Sequence, residues 1–417
     1  MPQHKPLTIA FSAGEPSGDQ HAANLFIEMK KSRPELKGIG MGGAKMAEAG
    51  IDIRYDSASI AVIGVVEVIK HYPEIRRALT LMQQLLAAEK PDLLVCVDYK
   101  EFNFKLARFA KQQGIKVLFY VSPQVWAWRA GRVKQYGKVI DMMAVIFPFE
   151  TAYYEAENVP VRYVGHPSVD KVHPQYSKAE ALAHFKLDGR LPVVGLLPGS
   201  RVNEIKRMLP VMLAAAGQLQ TRLPNLQFIL PQAGSIDDSL LETYLQPSPV
   251  KITVIKNQAY DVMQCCDAVM TASGTATLEI ALLTVPMAIG YKLAPITYWL
   301  GRWLVKTPFI GLPNIIADKR IVKEFIQHEA TAENLAAEVL RILTDKAYAD
   351  EMRENLHQVK QKLGQGGASK AMAGLALEML SCTYSVPLFE KEGLGEILLD
   401  KSPSAPSQAL PLFQRGK

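Results

Sequence analysis

The chain has 417 residues, enough for two or three domains at roughly 150 residues each. Apolar residues make up 48% and charged residues 21%, a globular composition that excludes a mostly disordered chain. Lys and Arg exceed Asp and Glu by 47 − 41 = 6, a diffuse surplus that suits anionic lipid or phosphorylated substrates and argues no nucleic-acid groove.

Leu7 to Phe11 predicts a buried strand, followed by the turn Ser12-Ala13-Gly14-Glu15-Pro16-Ser17-Gly18-Asp19 and a helix from about His21 to Lys31. Gly14 and Gly18 permit tight turns, and Glu15 and Asp19 set carboxylates at the strand's exit. Asp19 reads equally well as a helix cap. Ile60 to Ile69, with Ile63 and Val66, is almost wholly apolar and reads as a membrane-facing segment or as core. Leu93 to Val97 predicts a second strand between Pro91 and Asp98. A carboxylate at that exit can accept a proton from an attacking alcohol, although Asp commonly ends strands. Val117 to Val121 leads into Ser122-Pro123-Gln124-Val125-Trp126-Ala127-Trp128-Arg129, whose tryptophans offer a face for sugar rings or a lipid chain, or simple packing. Met143 to Phe147 repeats the strand pattern, and Pro160 to Pro174, holding Gly165 and Pro167, reads as a hinge.

The pattern then restarts. Ser177-Lys178-Ala179-Glu180 is a capping-box helix start, with serine accepting from an early N–H and glutamate reaching back. Strands are predicted at Val193 to Leu197, Phe228 to Leu230, Ile252 to Ile255, Ala268 to Met270 and Met287 to Ile289. Short apolar strands alternating with amphipathic helices imply parallel sheets covered on both faces. Two consecutive doubly wound α/β units follow, and in such sheets ligands bind beyond the carboxyl ends of the strands.

Two loops of the second unit carry the most information. Leu197-Pro198-Gly199-Ser200-Arg201 precedes a helix from Glu204 to about Leu213. Backbone N–H groups at a helix start favour a phosphate, Gly199 allows close approach, and Arg201 adds a two-pronged charged contact. Thr271-Ala272-Ser273-Gly274-Thr275-Ala276-Thr277 also joins a strand to a helix, with Glu279 about one turn in. Small hydroxyl residues and glycine can wrap a diphosphate, and a carboxylate can accept from both hydroxyls of a ribose. The plainer readings are an ordinary turn with a surface arginine, a serine cap and a solvated glutamate. Together the two loops point to a nucleotide diphosphate.

Several chemistries are disfavoured. GxxxxGK[ST] is absent, as is GxGxxG after the first strand, which argues against a Walker-type triphosphatase and a dinucleotide dehydrogenase. No Asp-x-Asp pair stands ready to hold a divalent cation, and the histidines form no cluster, so no metal or cofactor is expected. A departing diphosphate would be neutralised by Arg201, backbone N–H groups and helix ends. Cys96, Cys265, Cys266 and Cys382 have no metal-ligand spacing, and at this size a disulfide scaffold is not needed. Met1 to Ser12 does not read as a signal peptide, and no run reaches the ~18–20 apolar residues of a bilayer span. Tyr298 to Lys306 mixes Trp299 and Trp303 with Arg302 and Lys306, the composition of an interfacial segment and also of a core helix. A helix-rich region from about Ala332 to Leu380 is interrupted at Gly364 to Gly367. Beyond Cys382, Pro387-Leu388-Phe389 recurs as Pro411-Leu412-Phe413 around a Ser/Pro-rich stretch, and this tail is expected to be disordered.

With these residues in hand, the chain resembles the lipid-A-disaccharide synthase family. The likeness rests on Ser12 to Asp19, Ser122 to Trp128, Val164-Gly165-His166-Pro167, Leu197 to Arg201, Ser273 to Glu279 and Leu312-Pro313-Asn314, in that order. It spans about residues 6 to 380. Two departures stand out, the tail after Cys382 and Lys323-Glu324-Phe325 in place of a leucine-rich run. Neither is expected to touch a site.

The resemblance implies a GT-B fold, two Rossmann-like domains facing across a cleft. The implied division is 1–170 for the acceptor and membrane side and 171–345 for the UDP-sugar side. Terminal helices in 346–382 would return to the first domain, ahead of the tail at 383–417. It also implies an inverting transfer of 2,3-diacylglucosamine from UDP-2,3-diacylglucosamine to 2,3-diacylglucosamine 1-phosphate, with a β-1,6 linkage and release of UDP. Asp98 becomes the expected base, with Glu15 and Arg201 beside it. UDP falls to Gly199, Ser200, Arg201, Ser273, Gly274, Thr275, Thr277, Glu279 and Asn314. The acceptor or its acyl chains fall to Ser17, Gly18, Asp19, Gln124 and Trp126. Ile63, Val66, Trp299, Arg302 and Trp303 would face an anionic inner-membrane surface from the cytoplasm, and a homodimer is compatible with this. Rival readings are another GT-B transferase acting on a lipid-linked precursor, a UDP-sugar epimerase, and a UDP-sugar-binding protein without turnover.

Overall fold

The computed structural model describes residues 6–60, 71–128, 130–293 and 307–381. The membrane-facing candidates Ile63, Val66, Trp299, Arg302 and Trp303, and the tail from Cys382, lie outside the described residues. Among the described residues, thirteen strands form two sheets. The first contains β1 (Thr8–Ala13), β2 (Lys37–Gly42), β3 (Ile51–Asp56), β4 (Leu93–Val97), β5 (Lys116–Tyr120), β6 (Met142–Val145) and β7 (Val161–Tyr163). The second contains β8 (Val193–Leu197), β9 (Gln227–Gln232), β10 (Ile252–Lys256), β11 (Ala268–Ala272), β12 (Met287–Tyr291) and β13 (Lys323–Ile326). Their orders are β3-β2-β1-β4-β5-β6-β7 and β10-β9-β8-β11-β12-β13, and every pairing is parallel.

Alternation along the strands explains why both faces of a sheet are covered. Ile9, Phe11 and Ala13 of β1 join Leu93, Val95 and Val97 of β4 in a core closed by Pro16–Ser32. Ala10, Leu94 and Cys96 point the other way, into a core closed by Tyr72–Glu89 and Lys100–Gln112. Each continuous apolar run is thus two half-faces, each needing its own layer of helices.

The direction of winding reverses between β1 and β4 in the first sheet and between β8 and β11 in the second. A crevice opens at such a reversal because successive helices leave on opposite faces. The loops that carry Glu15, Asp98, Gly199 to Arg201 and Ser273 to Thr275 start from these four strands.

The strand series predicted from the sequence is present, with bounds that agree within about two residues, and Val202–Arg222 extends well past the expected Leu213. Ser177 and Glu180 form the anticipated capping box, with Ser177 N–H donating to Glu180 at 2.8 Å. The last helices divide, and of the two only the second makes the expected return to the first domain. Lys346–Leu363 packs on Thr275–Leu282, Leu312–Ala317 and Ala332–Thr344 of the second domain, and Ala368–Leu380 lies along Pro16–Ser32 of the first. The crossing occurs at Gly364 to Gly367, where φ is +85° at Gly364 and +82° at Gly367. Asp170 anchors it, accepting from the N–H groups of Gly367 at 2.5 Å and Ala368 at 2.9 Å.

Candidate active site

The loop after β8 and the loop after β11 line one cavity of about 430 Å³, to which Gly199, Arg201 and Glu204 contribute from one side and Ser273, Gly274 and Glu279 from the other. The helix Val202–Arg222 points its N-terminus at this space, so its unpaired N–H groups and dipole favour an anion there. The loop is closed by a residue that the sequence reading passed over. Glu204 accepts from the N–H groups of Ser200 at 3.0 Å and Arg201 at 3.3 Å, and from the Arg201 guanidinium at 3.1 Å. Gly199 has φ +120°, and a Cβ there would run into the Glu204 carboxylate, so only glycine fits. Ser200 is further tied down through its carbonyl, which accepts from the Ser235 hydroxyl at 2.7 Å.

Across the cavity, Gly274 and Thr275 are exposed, and nothing approaches the Cβ position of Gly274, leaving room for a bulky group. The Ser273 hydroxyl donates to the Ile310 carbonyl at 2.9 Å. Thr277, expected on the diphosphate, is fully buried and donates to the Gly274 carbonyl at 2.8 Å. It shapes the loop from below. Glu279 sits where its carboxyl can reach the cavity and accepts from the Tyr260 hydroxyl at 3.3 Å. Burial raises its pKa, against the lowering effects of Tyr260 and the Lys171 charge.

Asn314 also takes a supporting place. It is fully buried, its oxygen accepts from the N–H groups of Ile321 at 2.7 Å and Val322 at 3.0 Å, and its NH₂ donates to the Val322 carbonyl and to Glu324. Both ends of this amide are spent inside the fold. Glu324 accepts in addition from the N–H groups of Ile310 and Gly311, both at 2.9 Å. The charged residue that departs from the family pattern therefore does bear on the site, because it fixes the backbone that receives Ser273.

In the first domain, Asp98 and Glu15 stand at the exits of β4 and β1. Asp98 is mostly buried, and that burial raises its pKa, opposed by the Lys100 charge and a hydrogen bond from the Tyr99 N–H. Glu15 is half-buried and also raised, first by burial and then by the Asp98 charge, while Lys100 and Arg201 pull it down. Arg201 of the second domain thus lies close enough for its charge to act on Glu15. Gly14 has a local purpose, since a Cβ there would strike the Tyr99 ring.

The remaining candidates separate clearly. Ser17 and Gln124 are exposed. Gly18 is buried against Ala13 and the Val97 carbonyl, both 3.4 Å from a Cβ position, so it serves the packing of its helix. Asp19, expected at the acceptor, is a buried cap for the neighbouring helix Ala44–Glu48. Its carboxylate accepts from the N–H groups of Gly43 at 2.7 Å, Lys45 at 3.0 Å and Met46 at 3.2 Å. That leaves Glu15 as the carboxylate of this loop that faces the cleft. Trp126 is half-buried, its ring edge-on to Phe149, and its indole N–H donates to Glu150 at 3.3 Å. Burial pushes the Glu150 pKa up to about 7. Among the described residues, no group of three His, Cys, Asp or Glu could hold a metal ion, and no helix is long and apolar enough to cross a membrane.

Sequence inspection missed two further groups. Glu204 was legible only as an early-turn glutamate after a serine-bearing loop, and Asn103 only as one polar residue on the buried side of an otherwise amphipathic helix.

Two parallel-sheet domains, each with its candidate loops at a switch point, define a GT-B fold. Solved structures agree on the fold. A UDP-GlcNAc 2-epimerase from Neisseria meningitidis bound to UDP-GlcNAc matches with TM-score 0.59 at 14% identity, covering 89% of this chain and 99% of that one. The glycotransferase of kitacinnamycin matches with TM-score 0.60 at 15% identity, covering 90% and 100%. The sequence narrows the choice. The lipid-A-disaccharide synthetase family model matches residues 9–378, and the lipid-A-disaccharide synthase of Geobacter sulfurreducens is 49% identical over 380 residues, 91% of this chain and 99% of that protein. The chain belongs to the lipid-A-disaccharide synthase family and is a glycosyltransferase.

Proposed function

We propose that the chain transfers 2,3-diacylglucosamine from UDP-2,3-diacylglucosamine to 2,3-diacylglucosamine 1-phosphate in one inverting displacement. The observation that carries this reading is the cavity shared by the Gly199 and Gly274 loops, with the half-buried Glu15 feeling the Arg201 charge from the first domain. Asp98 accepts the proton of the acceptor hydroxyl as that oxygen attacks the anomeric carbon. The bond from that carbon to the diphosphate breaks, and its electron pair leaves on the UDP oxygen. A single displacement from the opposite face inverts the centre and gives the β-1,6 link.

Catalysis needs donors aimed at the place where charge develops. Arg201, the amides of the Ser200–Arg201 turn and the start of Val202–Arg222 meet that need, together with the exposed Gly274–Thr275 turn. Glu279, lining the same cavity, is placed to accept from ribose hydroxyls. With these cations and dipoles on the leaving group, the reaction is expected to proceed without a divalent metal. The acylated substrates call for work at the cytoplasmic face of the inner membrane, in contact with anionic lipid.

The test is incubation with UDP-2,3-diacylglucosamine, with and without 2,3-diacylglucosamine 1-phosphate, and products read by mass. Disaccharide 1-phosphate and UDP should form only when both are present. An altered sugar or UDP without acceptor would favour an epimerase or a hydrolase. A rate that vanishes in chelator and returns with magnesium would overturn metal independence, and failure to float with anionic vesicles at low salt would overturn the membrane reading.

A further inference from the structure

We infer that Asn103 is the positioning residue of the catalytic base, holding Asp98 in a backbone conformation that it would not otherwise keep and setting its separation from Glu15. This rests on the assignment of Asp98 in the proposed reaction. Asp98 and Tyr99 have φ of +48° and +45°, two successive non-glycine residues in the left-handed region. Such conformations are costly and persist only where surrounding contacts over-determine them.

The contacts converge on Asn103. Its NH₂ group lies 2.8 Å from the Asp98 carbonyl, with the Ser12 carbonyl at 3.2 Å and the Val97 carbonyl at 3.3 Å. Its side-chain oxygen accepts from the Ser12 hydroxyl at 2.6 Å, and its own N–H donates to the Tyr99 carbonyl at 3.0 Å. The Asp98 N–H donates to the Tyr120 carbonyl at 3.0 Å, and the Tyr99 hydroxyl donates to the Ile60 carbonyl at 3.1 Å. Asn103 therefore binds both carbonyls of the unusual pair and joins the ends of β1 and β4, whose exits bear Glu15 and Asp98. It is fully buried and does not reach the cleft, so its effect on the reaction must pass through these two carboxylates. Lys100 and the Tyr99 N–H act on the charge of Asp98, and Asp98, Lys100 and Arg201 act on that of Glu15.

The experiment compares Asn103→Ala, Ser12→Ala, Asp98→Asn and the Asn103→Ala/Asp98→Asn double variant by kcat, UDP affinity and the pH profile of kcat. Asn103→Ala should lower kcat at least tenfold, leave the UDP Kd within about twofold, and displace the acid limb of the profile. It should add no further loss in the Asp98→Asn background. Ser12→Ala, which keeps the three carbonyl contacts, should move the same readouts in the same direction by a few fold, and it decides the matter if Asn103→Ala does not fold. An unshifted profile at near-normal kcat, a loss that tracks UDP affinity, or a full additive loss in the double variant would overturn the inference. Near-normal turnover of Asp98→Asn would instead overturn the assignment of the base.

Discussion

The Glu204 carboxylate holds the same donors that a diphosphate would use: the N–H groups of Ser200 and Arg201 and the Arg201 guanidinium. An anion entering the cavity must share or displace this internal carboxylate, and the two negative charges repel. Near a protein surface, charges ~4 Å apart interact by about 4 kcal/mol before screening and loop reorganisation. Glu204→Gln should therefore bind UDP several-fold more tightly and show stronger inhibition by the released UDP, measurable by calorimetry and product-inhibition kinetics. Weaker UDP binding would mean that the carboxylate acts as scaffold for the loop, with no competing role.

Arg201 and Asp98 should separate by the parameter they change. Arg201→Ala removes a cation that meets the diphosphate in both ground and transition states, so UDP affinity and rate should fall together. Asp98→Asn removes a proton acceptor needed only as the hydroxyl attacks, so turnover should fall by ~10²–10⁴-fold with UDP binding spared. Because burial raises the Asp98 pKa and Lys100 opposes that rise, wild-type activity should decline on acidification at a pH above the ordinary carboxylate range. Lys100→Met should move that limb still higher. A rate profile in which Lys100→Met shifts the limb downward would contradict this electrostatic account.

The two-sheet architecture and the four switch-point loops were legible because buried parallel strands leave a strong apolar signature and glycine marks the turns after them. Strands β2, β3, β7 and β13 were not, and β3 (Ile51–Asp56) alternates apolar and polar residues at the edge of its sheet. The Lys37–Gly42 strand has alternate glycines, with a Cβ at Gly40 running into the Phe11 backbone; β7 has three residues, and Lys323–Ile326 is a half-buried edge rich in charge. Site residues were legible by type and place, but not by orientation. Asp19, Thr277 and Asn314 each carry a polar group in the expected loop, yet each turns that group into the protein. Nothing in the spacing distinguishes a hydroxyl that faces a ligand from one that holds the loop's own carbonyl, since both choices satisfy the same donors.

Asn314 makes that distinction testable. Truncation strands two N–H groups and one carbonyl and leaves one Glu324 oxygen with the Gly311 N–H alone, and a buried group left without its partner costs about 1–3 kcal/mol. Asn314→Ala should therefore lose a few kcal/mol of stability, seen as a lowered denaturation midpoint, and Asn314→Asp, which sets a second carboxylate against Glu324, should lose no less. UDP affinity should weaken less than with Arg201→Ala, because the effect reaches the cavity only through Glu324, Ile310 and Ser273. Full stability combined with complete loss of UDP binding would return Asn314 to direct contact with the ligand.

Glu150 predicts a pH dependence of stability rather than of rate. Its carboxyl is raised from 4.5 to about 7 by burial, so the folded state binds a proton that the unfolded chain releases. The resulting stabilisation is fully present below pH 4.5 and is lost as pH rises through 7; a shift of that size corresponds to about 3 kcal/mol as an upper bound. His21 and His166 act in the opposite sense. Burial lowers them from 6.5 to about 4 and about 3, so their contribution is present above 6.5 and is lost on acidification. The two slopes overlap between pH 4.5 and 6.5 and conceal each other in the wild type. Subtracting the denaturation curve of Glu150→Gln isolates the carboxyl, since the amide cannot titrate and the histidines remain. The difference should change steadily between about pH 4.5 and 7 and flatten beyond. A difference independent of pH would mean that Glu150 stays ionised beneath Trp126, held by the indole and the Phe147 N–H rather than by a proton.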